Sequence, residues 1–95
     1  MKFVCLFNVK ESVTPAKLGE TIARRAEYKF PEGIKLIAEY WSPSQPAVIA
    51  IVEAPDATAL MMNTINWLDT FDVQVLPVSD YQEGLQKLSK HFGRK

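Results

Sequence analysis

The sequence holds little of what most readily commits a chain to a chemistry. It has one cysteine, Cys5, and one histidine, His91, among 95 residues. A single cysteine excludes an intrachain disulfide framework, so nothing in the fold depends on an oxidising compartment. One histidine, one cysteine and no spaced carboxylate cluster leave a metal site without ligands, so neither a metal nor a cofactor is expected. Charge of one sign is also missing. Eleven lysines and arginines balance eleven aspartates and glutamates, which argues against nucleic acid and anionic membrane as partners, because both rely on clustered positive charge. No apolar run approaches the ~20 residues of a membrane span. The opening MKFVCLFNVK is interrupted too soon for a signal peptide, and a soluble cytoplasmic protein is the expectation. There is no low-complexity segment and no linker, so residues 1–95 read as one domain.

What is present is a 47% apolar chain with clear alternation. Its organising stretch is Ile34 to Glu53, IKLIAEYWSPSQPAVIAIVE. Two apolar runs flank Ser42-Pro43-Ser44-Gln45-Pro46, the pattern of a β-hairpin with a short, stiff loop. Before it, Lys2 to Asn8 reads as a strand, with Phe3, Cys5 and Phe7 on one face and Val4 and Leu6 on the other. Thr14-Pro15 opens a helix as N-cap and first residue. Leu18, Ile22, Ala26 and Phe30 are its predicted sheet-facing side, with Glu20 and Arg24 spaced for an i,i+4 pair, and Pro31 and Gly33 end it.

In the second strand, strict alternation places Ile34, Leu36, Ala38 and Tyr40 opposite Lys35, Ile37, Glu39 and Trp41. In the third, Val48, Ala50 and Val52 share a face. Asp56 caps a second helix with a predicted core stripe of Leu60, Met61, Ile65 and Leu68. Phe71 to Val78 is the fourth strand, with Phe71, Val73 and Val75 together. Ser79 and Gln82 form a predicted capping box for a last helix, on which Tyr81, Leu85, Leu88 and Phe92 make a narrow apolar stripe. The tail from His91 to Lys95 is expected to fray.

The order βαββαβ plus a C-terminal helix is the ferredoxin-like arrangement: α+β, with a four-stranded antiparallel sheet and two helices on one face. The other face, carrying either the Phe3 set or the Val4 set, is too apolar for water. A second copy packed sheet to sheet, with the terminal helix clasping the partner, is expected to cover it; a subunit patch of ~800 Å² is typical.

A βαββαβ unit of this size with two-sided apolar strands and an extra helix resembles the dimeric α/β-barrel superfamily. The run FDVQVLPVSDYQEGLQKL is similar to a small uncharacterised prokaryotic family of stand-alone domains, whose last strand ends in Pro-Val before an acidic residue and a short helix. The resemblance implies a homodimer and leaves activity open, since the superfamily includes cofactor-free monooxygenases, isomerases, haem-binding enzymes and plain binding proteins. Its haem-degrading members pair a first-strand asparagine with a second-helix tryptophan and a histidine. Asn8 and Trp67 match the first two, but Pro77 stands where the histidine belongs, and haem iron needs an axial donor. Haem is therefore not expected.

The candidate ligand-binding residues are Asn8, Tyr40, Trp41, Met62, Asn66 and Trp67. Tyr40 and Trp41 are adjacent on a strand and point to opposite faces, one under a helix and the other into the dimer seam. Asn63, Asn66 and Trp67 share part of the second helix, where a polar–aromatic edge can rim a cavity. The plainer reading of that edge is a solvated helix face. Met62 suits a flat apolar guest or fills a gap. Cys5 reads as an inert packed thiol and His91 as a solvated helix end. RNA binding by the sheet is disfavoured, since the third strand has no aromatic residue. The expected function is binding of a small, largely apolar molecule, or an accessory role. The alternative is a cofactor-free monooxygenase or isomerase whose catalytic residues the sequence does not identify.

Overall fold

The computed structural model describes residues 1–93. Strands β1 (Lys2–Val9), β2 (Lys35–Trp41), β3 (Val48–Glu53) and β4 (Phe71–Val78) form one antiparallel sheet in the order β2-β3-β1-β4. Helices α1 (Pro15–Ala26) and α2 (Ala57–Thr64) are its crossovers, a 3-10 turn over Ile65–Trp67 continues α2, and α3 (Tyr81–Phe92) follows β4. This is the ferredoxin-like βαββαβ fold with a C-terminal helix.

Local chemistry places most of the boundaries. The Thr14 hydroxyl accepts from the Lys17 N–H at 3.1 Å and Pro15 opens α1. The Asp56 carboxylate accepts from the Ala59 N–H at 2.9 Å to open α2. The cap of α3 differs from the expected Ser79–Gln82 box: Asp80 accepts from the Glu83 N–H at 2.8 Å, one residue later. An aspartate competes well for this position, since its charge also meets the positive end of the helix dipole. In the hairpin loop, Gln45 stands in for a strand residue. Its side chain accepts from the Val9 N–H at 3.1 Å and donates to the Val9 carbonyl at 3.4 Å.

The Phe3 set faces the helices. Phe3, Cys5 and Phe7 are buried with Ala50, Val52 and Phe71, beneath Leu60 and Trp67. Val4, Leu6, Ile49, Ile51 and Leu76 occupy the open face, half-buried to exposed. α1 stops at Ala26 rather than running to Phe30, and Glu27 closes it through bonds to the Arg24 and Arg25 carbonyls. Phe30 instead packs edge-on against Tyr28, centroids 5.2 Å apart, and Gly33 turns the chain at φ +90°. Ala26 and much of Ile22 are left exposed, and the buried residue of α1 is Thr21. α2 also differs from its predicted stripe, burying Leu60 and Asn63 while Met61, Ile65 and Leu68 face outward. The helix is apolar on nearly every side, so its sequence singles out no face.

α3 buries none of its residues, and Tyr81, Leu85, Leu88 and Phe92 are all exposed. It continues helically through Phe92, so His91 lies in its last turn; Arg94 and Lys95 lie outside the described residues. The chain measures 59 × 29 × 18 Å with a radius of gyration of 16.2 Å. A compact domain of this length has about 12 Å, so the fold is drawn out by a helix that stands away from its own core. Among the described residues no helix is long and apolar enough to cross a membrane.

Candidate functional site: a cavity beneath the first helix

α1 roofs the sheet without packing closely onto it. Polar clamps hold it. At one side Thr21 Oγ1 donates to the Lys17 carbonyl at 3.0 Å and lies 2.6 Å from Thr70 Oγ1. Either hydroxyl can donate in that contact, and Thr70 Oγ1 also reaches Asp69 Oδ1 at 3.4 Å. Next to it, Asp69 accepts from Lys17 at 2.8 Å and from both Arg24 amino groups at 2.9 and 3.1 Å. Arg24 thus pairs across the fold rather than with Glu20, and its guanidinium sits 5.1 Å from the Trp67 ring. These hydrogen bonds hold the Asp69 carboxyl well below the ordinary carboxylate range. At the other side, Arg25 Nε and Nη2 fork onto Glu39 at 3.0 and 2.9 Å, and the Trp41 indole N–H donates to the same carboxylate at 2.7 Å.

That second clamp depends on an irregularity in β2. The register with β3 slips between Leu36 and Ala38, so Leu36 lies opposite Val52 while Glu39 and Trp41 lie opposite Ala50 and Val48. Val48, Ala50 and Val52 face the helices. The bulge therefore brings Leu36, Glu39 and Trp41 to one side of the sheet, where strict alternation separates Leu36 from the other two.

Between the clamps lies a cavity of about 190 Å³. Phe7, Ala50, Val52 and Phe71 form its floor, Leu18 and Ile22 its roof, and Trp67 and Asn63 one wall. The Phe7 and Phe71 rings meet edge to face, centroids 5.5 Å apart. Trp41, 56% exposed, stands at the rim with Arg25, Glu39 and Ser42. Cys5 also lines the floor, where burial pushes its thiol pKa up and keeps it protonated.

The wall at Asn63 is an oriented polar chain. Asn66 Nδ2 donates to the Met62 carbonyl at 3.1 Å and to the Tyr28 hydroxyl at 3.2 Å. The Tyr28 hydroxyl in turn donates to Asn63 Oδ1 at 2.7 Å. The Tyr28 ring meets Trp67 edge to face, centroids 4.9 Å apart.

Of the six residues picked out by sequence, the structure brings Trp41 and Trp67 together around the cavity. Asn66 supports its wall from outside through Tyr28. Asn8 and Tyr40 lie on the opposite face of the sheet, where Asn8 pairs with Asp72 and Tyr40 with Ile49. Met62 is exposed, away from the cavity. The cavity's polar residues Thr21, Arg25, Glu39 and Asn63 are not among the six. Asn63 is the one the sequence could flag, through its i,i+4 spacing to Trp67.

A model of a domain of unknown function, DUF3303, matches residues 1–92. The chain belongs to the DUF3303 family. Among curated proteins and among solved structures, no match is found. Family membership thus names a domain and leaves its chemistry to be read from the cavity. Among the described residues no group of three or more histidine, cysteine, aspartate or glutamate side chains is placed to hold a metal ion.

Proposed function

We propose that the domain binds a small, largely apolar molecule in the cavity beneath α1 and works as a homodimer. The observation that carries the binding half is the cavity itself: about 190 Å³ of space lined mainly by Phe, Val, Leu and Trp side chains in the centre of the fold. Interiors normally pack to crystal density, and a void left there forfeits contact energy. Here the polar clamps on α1 hold the space open. An apolar cavity with a few convergent polar groups is the usual form of a small-molecule site.

The dimer half rests on two apolar surfaces that a single chain leaves bare, the open sheet face and the α3 stripe. α3 stands away from its own sheet, so one chain cannot cover both. An isologous pair covers both at once, each α3 lying on the partner. The resemblance to the dimeric α/β-barrel superfamily supports the same arrangement.

Toluene is a suitable first probe. A ligand that binds only the native state raises its stability by mass action, so toluene is expected to raise the melting temperature of the wild-type protein. Ala50→Leu, which fills the cavity floor, is expected to keep the fold and lose that rise. A rise unchanged in Ala50→Leu places the binding elsewhere and contradicts the assignment.

A further inference from the structure

The most informative polar group in the cavity is the Asn63 side chain. The residue is 4% exposed and lines the cavity. Its orientation follows from the bonds behind it. Asn66 is pinned as a donor by the Met62 carbonyl, so Tyr28 accepts from Asn66 and must donate its single proton onward. The atom 2.7 Å from the Tyr28 hydroxyl is therefore the Asn63 oxygen, which leaves the Asn63 amino group on the other side of the amide. That group makes no hydrogen bond among the described residues and stays within reach of solvent, since among those residues no side-chain nitrogen or oxygen is both buried and unpartnered. A guest without an acceptor strips the solvent from this donor and leaves it unpaired, whereas a guest that presents an acceptor replaces the lost bond.

Most other polar groups of the cavity have partners within the chain. Thr21 bonds to the Lys17 carbonyl and to the Thr70 hydroxyl, and Ser42 Oγ at the rim accepts from the Ser44 N–H. Glu39 accepts from Arg25 and Trp41, so the rim holds a neutralised ion pair. The carboxylate of that pair disfavours an anionic guest. The volume sets the scale of what a guest can bury, since a dry cavity of about 150 Å³ holds benzene and this one, open beside Trp41, measures about 190 Å³.

Resting on the reading of the cavity as a ligand site, we infer that it selects an uncharged single-ring molecule carrying one acceptor oxygen, such as an aryl ketone or aldehyde, with Asn63 Nδ2 as the donor that reads that oxygen. The ring lies on Phe7, Phe71 and Trp67, and the oxygen meets the Asn63 amide. Asn63 is thereby the specificity-determining residue of the site.

Acetophenone and isopropylbenzene have nearly the same size and shape and differ in the acceptor oxygen. Titration of the protein, followed by the resonances of the cavity methyl groups and of the Asn63 side-chain amide, separates them. Acetophenone is expected to bind about tenfold more tightly than isopropylbenzene and to move the Asn63 amide resonances, whereas isopropylbenzene moves only the methyls. Asn63→Leu is expected to bring the two affinities level. Should that variant fail to fold, the wild-type amide resonances carry the test alone. Equal affinities in the wild type, or Asn63 amide signals that stay still while the methyls move, overturn the role of Asn63 and leave the cavity as a binding site. If neither probe moves the cavity methyls, the binding reading fails along with this inference.

Discussion

Asp69 shows how much of this fold rests on charged side chains reaching across it. Its carboxylate ties Lys17 and Arg24 of α1 to the turn before β4. The folded-state pKa is depressed, so the stability it contributes is fully present above the unfolded carboxylate value near 4 and is lost as pH falls below that value. The group is 40% exposed, and solvent screening limits its effect. Asp69→Asn is expected to cost no more than about 1 kcal/mol at pH 7 and distinctly less, though not nothing, near pH 2, where the contribution is only partly lost, as read from urea melts at the two pH values. None of these partnerships is visible in the chain. Glu20 and Arg24 sit at i,i+4 and look like a pair, but Asp69 offers Arg24 a forked two-nitrogen contact that Glu20 does not displace. Asn63 could be flagged by its spacing to Trp67, but not its bond to Tyr28, which lies 35 residues away.

The secondary-structure elements differ in how openly they declare themselves. β1, β3 and β4 alternate cleanly, and their faces follow from period two alone. β2 does not, since the bulge after Leu36 becomes visible only once β3 is paired against it. Without it Glu39 would turn away from Arg25, and the rim of the cavity would lose its ion pair. α2 is short and apolar nearly all round, so its buried side was set by Leu60 and Trp67 finding the core. The turn from α1 into β2 is the reverse case, where one residue suffices. Gly33 adopts φ +90° with open space around it, the nearest atoms to an added Cβ being those of Pro55 at 3.6 Å or more. The obstacle to a side chain there is conformational rather than steric crowding. Gly33→Ala is expected to lower stability by about 1–2 kcal/mol, seen as a reduced urea midpoint with an unchanged slope.

For the molecule as a whole, the 16.2 Å radius of gyration and the exposed stripe on α3 describe a chain with apolar surface standing away from its own core, which is the surface the proposed dimer covers. Two-sided apolar strands announced the uncovered sheet face in the sequence; that α3 stands away from it did not follow from the pattern. Leu85 and Leu88 contribute nothing to the core of their own chain. The double change Leu85→Glu and Leu88→Glu is therefore expected to leave the fold intact and shift a sedimenting dimer to a monomer. A wild-type protein that sediments as a monomer at micromolar concentration contradicts the pairing.

The cavity is the centre of the account, and methyl resonances test it most directly. Protein labelled at isoleucine, leucine and valine methyls is titrated with toluene. The account predicts shifts at Leu18, Ile22, Val48 and Val52 around the cavity, with Val4, Leu6, Ile49 and Ile51 of the opposite sheet face unmoved. Shifts confined to that opposite face, or none at saturating toluene, contradict it.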